Sequence, residues 1–291
     1  MMLLALLACT PDQGFAELKL DALAVVLGDF DNVGDTLLGM NVPTQEFDGF
    51  IVQATYEPDE DRSLRGEGGS TVEGLLGVTT EGKLQISVFN GVFVNSGTRG
   101  LGAYQYNNAL QADNSLLLDT DSMDHACNFV TGGGTLVVSD WAYEMIEYCW
   151  PDAVEFYGDD LVPDAAQVGI ADDVLADVKD EALAEALGTN VNLAYNYTAW
   201  TVIEGVGADT EVLLTGDLEY QPSSDQLPVE LDGAPLMVRF WPGRGQVIYS
   251  TFHWAIQNPS VTEALLLESV EGLSGAVEDD ADTTDTEASG A

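Results

Sequence analysis

Basic residues are nearly missing from this chain. Its 291 residues hold 8 Lys+Arg against 50 Asp+Glu, for a formal net charge of −42. Phosphate recognition needs clustered Lys and Arg, so this balance excludes nucleic-acid binding and a polybasic mode of membrane attachment. Histidine is as scarce, with only His125 and His253, and there are three cysteines, Cys9, Cys127 and Cys149. The apolar run Met1–Ala8 is far too short to cross a bilayer. No internal repeat is present. What the chain does have is apolar material: hydrophobic residues make up 46% and charged residues 20%, enough for a real core and against global disorder.

The acidity belongs to the whole chain and not to one end. Residues 274–291 carry six acids (Glu278, Asp279, Asp280, Asp282, Asp285, Glu287), and setting those aside still leaves 44 acidic residues against 8 basic ones, a net −36. Like charges at that density repel one another unless salt or bound cations screen them, which implies a saline or divalent-rich setting.

The opening MMLLALLACTPDQG reads as the apolar core of an export leader. Leu6-Leu7-Ala8-Cys9 resembles the lipobox of bacterial lipoproteins. By that resemblance Cys9 is acylated and becomes the mature N-terminus, and the partner it implies is the membrane, through that lipid. The absence of an aspartate directly after Cys9 favours the outer membrane over the inner within the cell envelope. The expected organisation is a leader over 1–9, a tether over 10–19, one α/β domain over 20–273 and an acidic disordered tail over 274–291. Export makes a Cys127–Cys149 disulfide chemically available, since both residues fall on predicted helices flanking one strand. Two buried free thiols are the other reading.

Along the domain, Leu20–Gly28 is a continuous apolar run of the kind that forms a buried parallel strand. A short helix is predicted over Gly34–Met40, then strands over Phe47–Ala54 and Gly91–Asn95, with a charged surface loop over Pro58–Gly69. Further on come a helix over Ser122–Val130, a strand over Thr135–Val138 and a helix over Ala142–Trp150 that ends before Pro151. Asp172–Leu187 is predicted to be an amphipathic helix stopped by Gly188. The pattern then turns to strands over Leu193–Gly205, Glu211–Tyr220, Leu236–Phe240 and Gln246–Thr251, the last two as a hairpin. Ser260-Val261-Thr262-Glu263 reads as a capping box opening a final helix that runs to about Leu273. The fold class implied is α/β: a mostly parallel sheet with helices on both faces and an added antiparallel section near the C-terminus. Ligands on such sheets bind at the carboxyl ends of the strands, so functional residues are expected there.

Three strand ends carry the candidate site: GVFVNSGTRGLG from Gly91, GGGTLVVSDWAY from Gly132 and GQVIYSTFHW from Gly245. In this order they resemble class I glutamine-amidotransferase-like domains, which have a flavodoxin-like sheet. The resemblance implies that Ser96, Gly97, Thr98, Arg99 and Gly100 form the oxyanion-type loop. It places Ser139-Asp140-Trp141 at the nucleophile turn and Phe252-His253 at the catalytic histidine. The chain departs from that pattern at two points: no Cys occupies the turn, and Ala255 stands where the family has an acid two residues past the histidine. An elbow also needs small neighbours, and Val137 and Trp141 flank Ser139 at that spacing.

Other residues invite their own readings. Asp29, Asp31 and Asp35 after the first strand have spaced oxygens like those of a calcium loop, although Val33 interrupts the pattern and no closing glutamate follows. The same Asp and Asn residues serve equally as a turn and helix cap. Arg99 is suited to an anion or to an internal salt bridge. Trp141 and Trp254 lie beside the matched motifs and are candidates to line a pocket, while Asp159-Asp160 and Asp172-Asp173 read as solvated surface.

The function expected is that of an exported, lipid-anchored, non-catalytic binding or interaction protein with a degenerate amidotransferase-like cleft. It would have an unidentified protein or small-molecule partner and no cofactor. The alternatives are a hydrolase using Ser139 or Asp140 with His253, and a calcium-dependent surface protein.

Overall fold

The computed structural model of the chain describes residues 23–49, 71–101, 116–158, 166–197, 199–223 and 225–274. Cys9, the leader, the tether, the 58–69 loop, Asp159-Asp160 and the tail beyond 274 lie outside the described residues.

Nine strands form one sheet in the order β2-β1-β3-β4-β11-β10-β9-β6-β7. The first half is parallel: β1 (Leu23–Val26), β2 (Thr44–Phe47), β3 (Gly91–Val94), β4 (Thr135–Ser139) and β11 (Gln246–Ser250). The order 2-1-3-4 followed by the last parallel strand is that of a flavodoxin-like sheet. The second half is antiparallel: β10 (Val229–Phe240) pairs with β11, then come β9 (Glu211–Tyr220), β6 (Asp173–Val178) and β7 (Asn190–Ala194). Two further strands, β5 (Val154–Phe156) and β8 (Ile203–Val206), form a separate antiparallel pair.

Strands β1, β3, β4 and β11 are buried on both faces, which explains their apolar runs, while the edge strand β2 keeps Gln45 exposed. On β1, Leu23 and Val25 join a core with α1 (Val33–Gly39), α5 (Glu181–Leu187) and α6 (Pro259–Ser274). Ala24 and Val26 join another with α2 (Val72–Leu76), α3 (Thr120–Thr131) and α4 (Glu144–Cys149). The pleat sends successive side chains to opposite faces, so a four-residue strand feeds two cores. A disulfide joins Cys127 on α3 to Cys149 on α4, and the segment it encloses contains all of β4. Among the described residues, no helix is long and apolar enough to cross a membrane.

Four sequence expectations need correction. Asp172–Leu187 is not one helix. Asp173–Val178 is a strand whose Val174 and Ala176 are buried while Asp173, Leu175 and Asp177 face out, and Asp180 then caps α5 by accepting the Leu183 N–H at 2.9 Å. DVLADV fits a period of 2 as well as one of 3.6, and pairing with both β9 and β7 decided for the strand. Leu193–Gly205 is likewise divided, with β7 ending at Ala194 and β8 starting at Ile203 in the other sheet. The strand expected from Phe47 begins at Thr44 and ends at Phe47, and residues 50–54 lie outside those described. The last helix is capped by Asn258, whose side chain accepts the Ser260 N–H at 3.1 Å, with Pro259 at the first helical position where its missing N–H costs nothing.

One cation ties the antiparallel half to its helices. Arg239 on β10 bonds Glu211 on β9 at 2.9 Å, Asp180 before α5 at 3.2 Å and Glu268 on α6. Burial pulls its pKa down, but the bonds to Glu211 and Glu268 outweigh that, and the net direction is upward.

Candidate functional site

The carboxyl ends of β1, β3, β4 and β11 meet over one rim of the sheet, so loops far apart in sequence come into contact. After β3 the chain turns sharply at Gly97, whose φ of +81° places the missing Cβ 2.8 Å from the Asp29 N. Only glycine holds that conformation without strain and lets the β1 loop approach so closely. The Asp29 and Phe30 N–H groups donate to Gly97 O and Ser96 O across the contact.

After β4 the chain makes the strand-to-helix elbow. Asp140 sits at its apex with φ +41°, followed by a 3-10 turn over Asp140–Ala142 and then α4. A non-glycine residue at positive φ costs about 1 kcal/mol or more and persists only where its surroundings impose it. The surroundings here are hydrogen bonds. Asp140 is fully buried, at 0% exposure. Its Oδ1 accepts the Thr201 N–H at 2.7 Å, and its Oδ2 accepts His253 Nε2 at 2.9 Å and the Ser96 hydroxyl at 3.2 Å. Its backbone carbonyl accepts the Tyr249 hydroxyl at 3.0 Å.

His253, after β11, is 4% exposed. Its Nε2 also lies 3.0 Å from Ser96 Oγ. Burial pulls the imidazole pKa down, but the hydrogen bond and charge of Asp140, joined by the charge of Asp31, outweigh this and raise it above the ordinary histidine value. The pairing with the buried Asp140 carboxylate therefore favours the protonated imidazole.

Asp31 organises the other half. Its Oδ1 accepts the Asn32 and Ala255 N–H groups, and its Oδ2 accepts the Trp254 N–H at 2.9 Å and the Ser139 hydroxyl at 3.0 Å. Ser139 Oγ in turn accepts the Ser96 N–H at 2.9 Å. Ser139 therefore answers to Asp31 on one side and to the Ser96 amide on the other, and it does not pair with His253. Asp31 has all four acceptor positions filled by the protein. Asp35 is turned away, accepting the Asn32 side-chain N–H at 2.8 Å. Asp29, Asp31 and Asp35 thus do not form one calcium donor set, and the described residues contain no cluster of three or more His, Cys, Asp or Glu suited to a metal. Buried donors have claimed the central carboxylate.

Four amides of the glycine-rich loop are already paired within the protein. The Ser96 N–H is held by Ser139, the Thr98 N–H by Asn95 O, the Gly100 N–H by Gly49 O and the Leu101 N–H by Thr98 O. The side chain of Arg99 lies outside the described atoms. Above the buried groups sits an aromatic cover from three loops. Phe30 packs against Trp141 at 5.0 Å and against Tyr197 at 4.9 Å, and Tyr197 lies edge-on to His253 at 4.8 Å. The space beneath, bordered by Tyr195, Tyr197, Trp200 and His253, is about 10 Å³, enough for one water. Trp141 and Trp254 are buried at 6% and 1% exposure and serve as packing.

Chemically, the arrangement lacks a relay. In a nucleophilic triad the histidine uses one ring nitrogen to take the nucleophile's proton and the other to meet the acid. Here Ser96 and Asp140 converge on the same Nε2, and the Ser96 hydroxyl also reaches Asp140 Oδ2. Tyr197 and Thr201 are the parts sequence reasoning did not assign to this site, whereas the Asp29–Asp35 loop with Phe30 and Asp31 was placed at the cleft by its position after the first strand.

No protein-family model matches the chain, and no curated protein matches it in sequence. Among solved structures it is similar in fold to a GMP synthase-like protein from Thermoplasma acidophilum, at 10% identity and a TM-score of 0.46, over 86% of this chain and 94% of that one. It is similar to a cytoplasmic protein from Salmonella typhimurium at 9% identity and a TM-score of 0.49, over 85% and 97% of the two chains. It is also similar to a ThuA-like protein from Bacteroides uniformis at 12% identity and a TM-score of 0.45, over 87% and 90%. The fold of this chain is α/β, with the flavodoxin-like parallel sheet and antiparallel extension described above.

Proposed function

We propose that this chain is an exported, lipid-anchored binding or interaction protein whose amidotransferase-like cleft performs no chemistry. The observation that carries the reading is Asp140: the elbow apex holds a fully buried carboxylate with both oxygens satisfied, in place of an exposed nucleophile. A group so enclosed, paired with a histidine that has no free role as a base, stabilises the loops instead of attacking a substrate. Export and the lipid on Cys9 rest on the Leu6–Cys9 pattern, and the Cys127–Cys149 disulfide supports an oxidising compartment.

The test is covalent labelling of the full chain with a fluorophosphonate and with a panel of amide and ester substrates, wild type beside His253→Gln. No adduct and no turnover above buffer is the expected result. An adduct on Ser96 or Ser139 that disappears in His253→Gln would overturn the reading in favour of a hydrolase.

A further inference from the structure

The buried groups under the aromatic cover do not balance in charge. Among the described side chains, Asp31 and Asp140 bring two carboxylates and His253 brings the one cation that faces them. The other titratable groups around His253 are phenols. Tyr195, which bonds Thr251 at 2.8 Å, is pushed by burial far above the ordinary tyrosine range. Tyr249 is raised in the same way, and Tyr197 packs its ring edge on the imidazole. None of them supplies a second positive charge.

The connection between β7 and β8 is fastened to this pair. The Thr201 N–H donates to Asp140, the Trp141 indole N–H donates to Ala199 O at 3.2 Å, and Gln257 links the Ala194 backbone to His253 O at 2.8 Å. Thr198 lies outside the described residues. The cover therefore rests on the group whose charge changes nearest neutral pH.

We propose that His253 and Asp140 form a proton-controlled latch, which keeps the Phe30–Trp141–Tyr197 cover closed while the imidazole is charged and lets water in when it is neutral. The proposal rests on the reading that the pair is structural. Loss of the proton leaves two buried carboxylates without a counter-charge, and a buried unpaired charge is relieved most cheaply by solvation. The sign follows from linkage. The closed state holds the proton more tightly than an exposed imidazole near pH 6.5, so closure is fully favoured below that value and is lost as pH rises through the raised closed-state pKa.

Residue-resolved hydrogen exchange on the full chain between pH 6 and pH 9, corrected for the intrinsic pH dependence of exchange, tests this. The Thr201, Trp254 and Ala255 amides, which donate to the two carboxylates, are expected to lose protection tenfold or more over that range, while Val92–Val94 and Leu136–Val138 in the central strands keep theirs. Flat protection at Thr201 and Trp254 would overturn the latch, and so would an equal loss in the central strands, which would mark global destabilisation. Diethyl pyrocarbonate labelling, with half-buried His125 as the internal reference, gives a second readout. His253 should be protected at pH 6 and react at pH 9, and continued protection at pH 9 would also overturn the latch. Turnover by the site would sink the non-catalytic reading but would not by itself produce this pH-dependent loss of protection, so the two failures are distinguishable.

Discussion

Reduction of the Cys127–Cys149 disulfide is expected to lower the stability of this protein by about 3 kcal/mol. The bond spans a sequence separation of 22 residues, and the chain-entropy relation for a loop of that size gives roughly 3 kcal/mol at 25 °C. The two sulfurs lie at the ends of a unit that includes the second half of α3, all of β4, the Asp140 elbow and α4. Opening the bond therefore releases from the unfolded chain the very segment that must fold back into the middle of the parallel sheet. The assay is urea unfolding followed by tryptophan fluorescence, comparing the oxidised chain, the chain in dithiothreitol and the Cys127→Ser/Cys149→Ser double variant. The midpoint should fall by about 1 M urea, and the thermal midpoint by roughly 10 °C. The reduced chain and the double variant should agree. The slope of free energy against urea should be a little steeper in both, because an uncrosslinked unfolded chain exposes more surface. Equal midpoints with and without reductant would refute the loop-entropy reasoning. A fall in the double variant without a fall on reduction would show that the serines, not the missing bond, are responsible.

Asp140→Ala should destabilise the fold by about 3 kcal/mol or more in chemical denaturation, since it leaves His253 buried without its partner. Asp140→Gly should be more stable than Asp140→Ala by about 1 kcal/mol, because glycine relieves the positive φ at the elbow while losing the same carboxylate; equal stabilities would show that the φ is not imposed by the fold. Arg239→Ala should cost about 3 kcal/mol by stranding Glu268 and Asp180, which are 14% and 16% exposed, and a thermal midpoint equal to wild type would refute the hub. Raising NaCl from 0.1 to 1 M should raise the thermal midpoint, because it shortens the screening length from about 10 to 3 Å around a chain of net charge −42. Calcium should do no more than magnesium at matched ionic strength; a calcium-specific rise in calorimetry would restore the ion site that the geometry of Asp31 argues against.

The inner parallel strands β1, β3 and β4 were readable because they are buried on both faces, unlike the edge strand β2. LAVV, GVFV and TLVVS have no polar interruption and are bounded by glycine or polar turns, so their ends, and with them Ser96, Ser139, Asp140 and His253, could be named from the sequence. The antiparallel half was less so. Its strands are half exposed, and DVLADV carries an alternation short enough to pass for the first turns of the helix that follows. Only the neighbours β9 and β7 settle it. Propensity is weak evidence wherever pairing partners are distant.

Asp31 shows why the interior of the site was not readable even where its position was. In the sequence it stands in Asp-Phe-Asp-Asn, a composition that fits a solvated turn, a helix cap or a cation loop equally well. Its partners are Ser139, 108 residues away, and Trp254, 223 residues away. Nothing local encodes that a carboxylate will be 3% exposed and surrounded by two distant backbone amides and a hydroxyl. Asp140 presents the same problem in reverse, since its neighbours in sequence suggest an active elbow while its neighbours in space consume it. Asp31 meets four donors and Asp140 meets three, from Thr201, His253 and Ser96, and carboxylates so engaged and buried are not presented to a substrate. The distinction between a site that acts and one that holds the fold together thus lies in the count of donors at Asp140 and His253, and that count is a property of four strand ends at once.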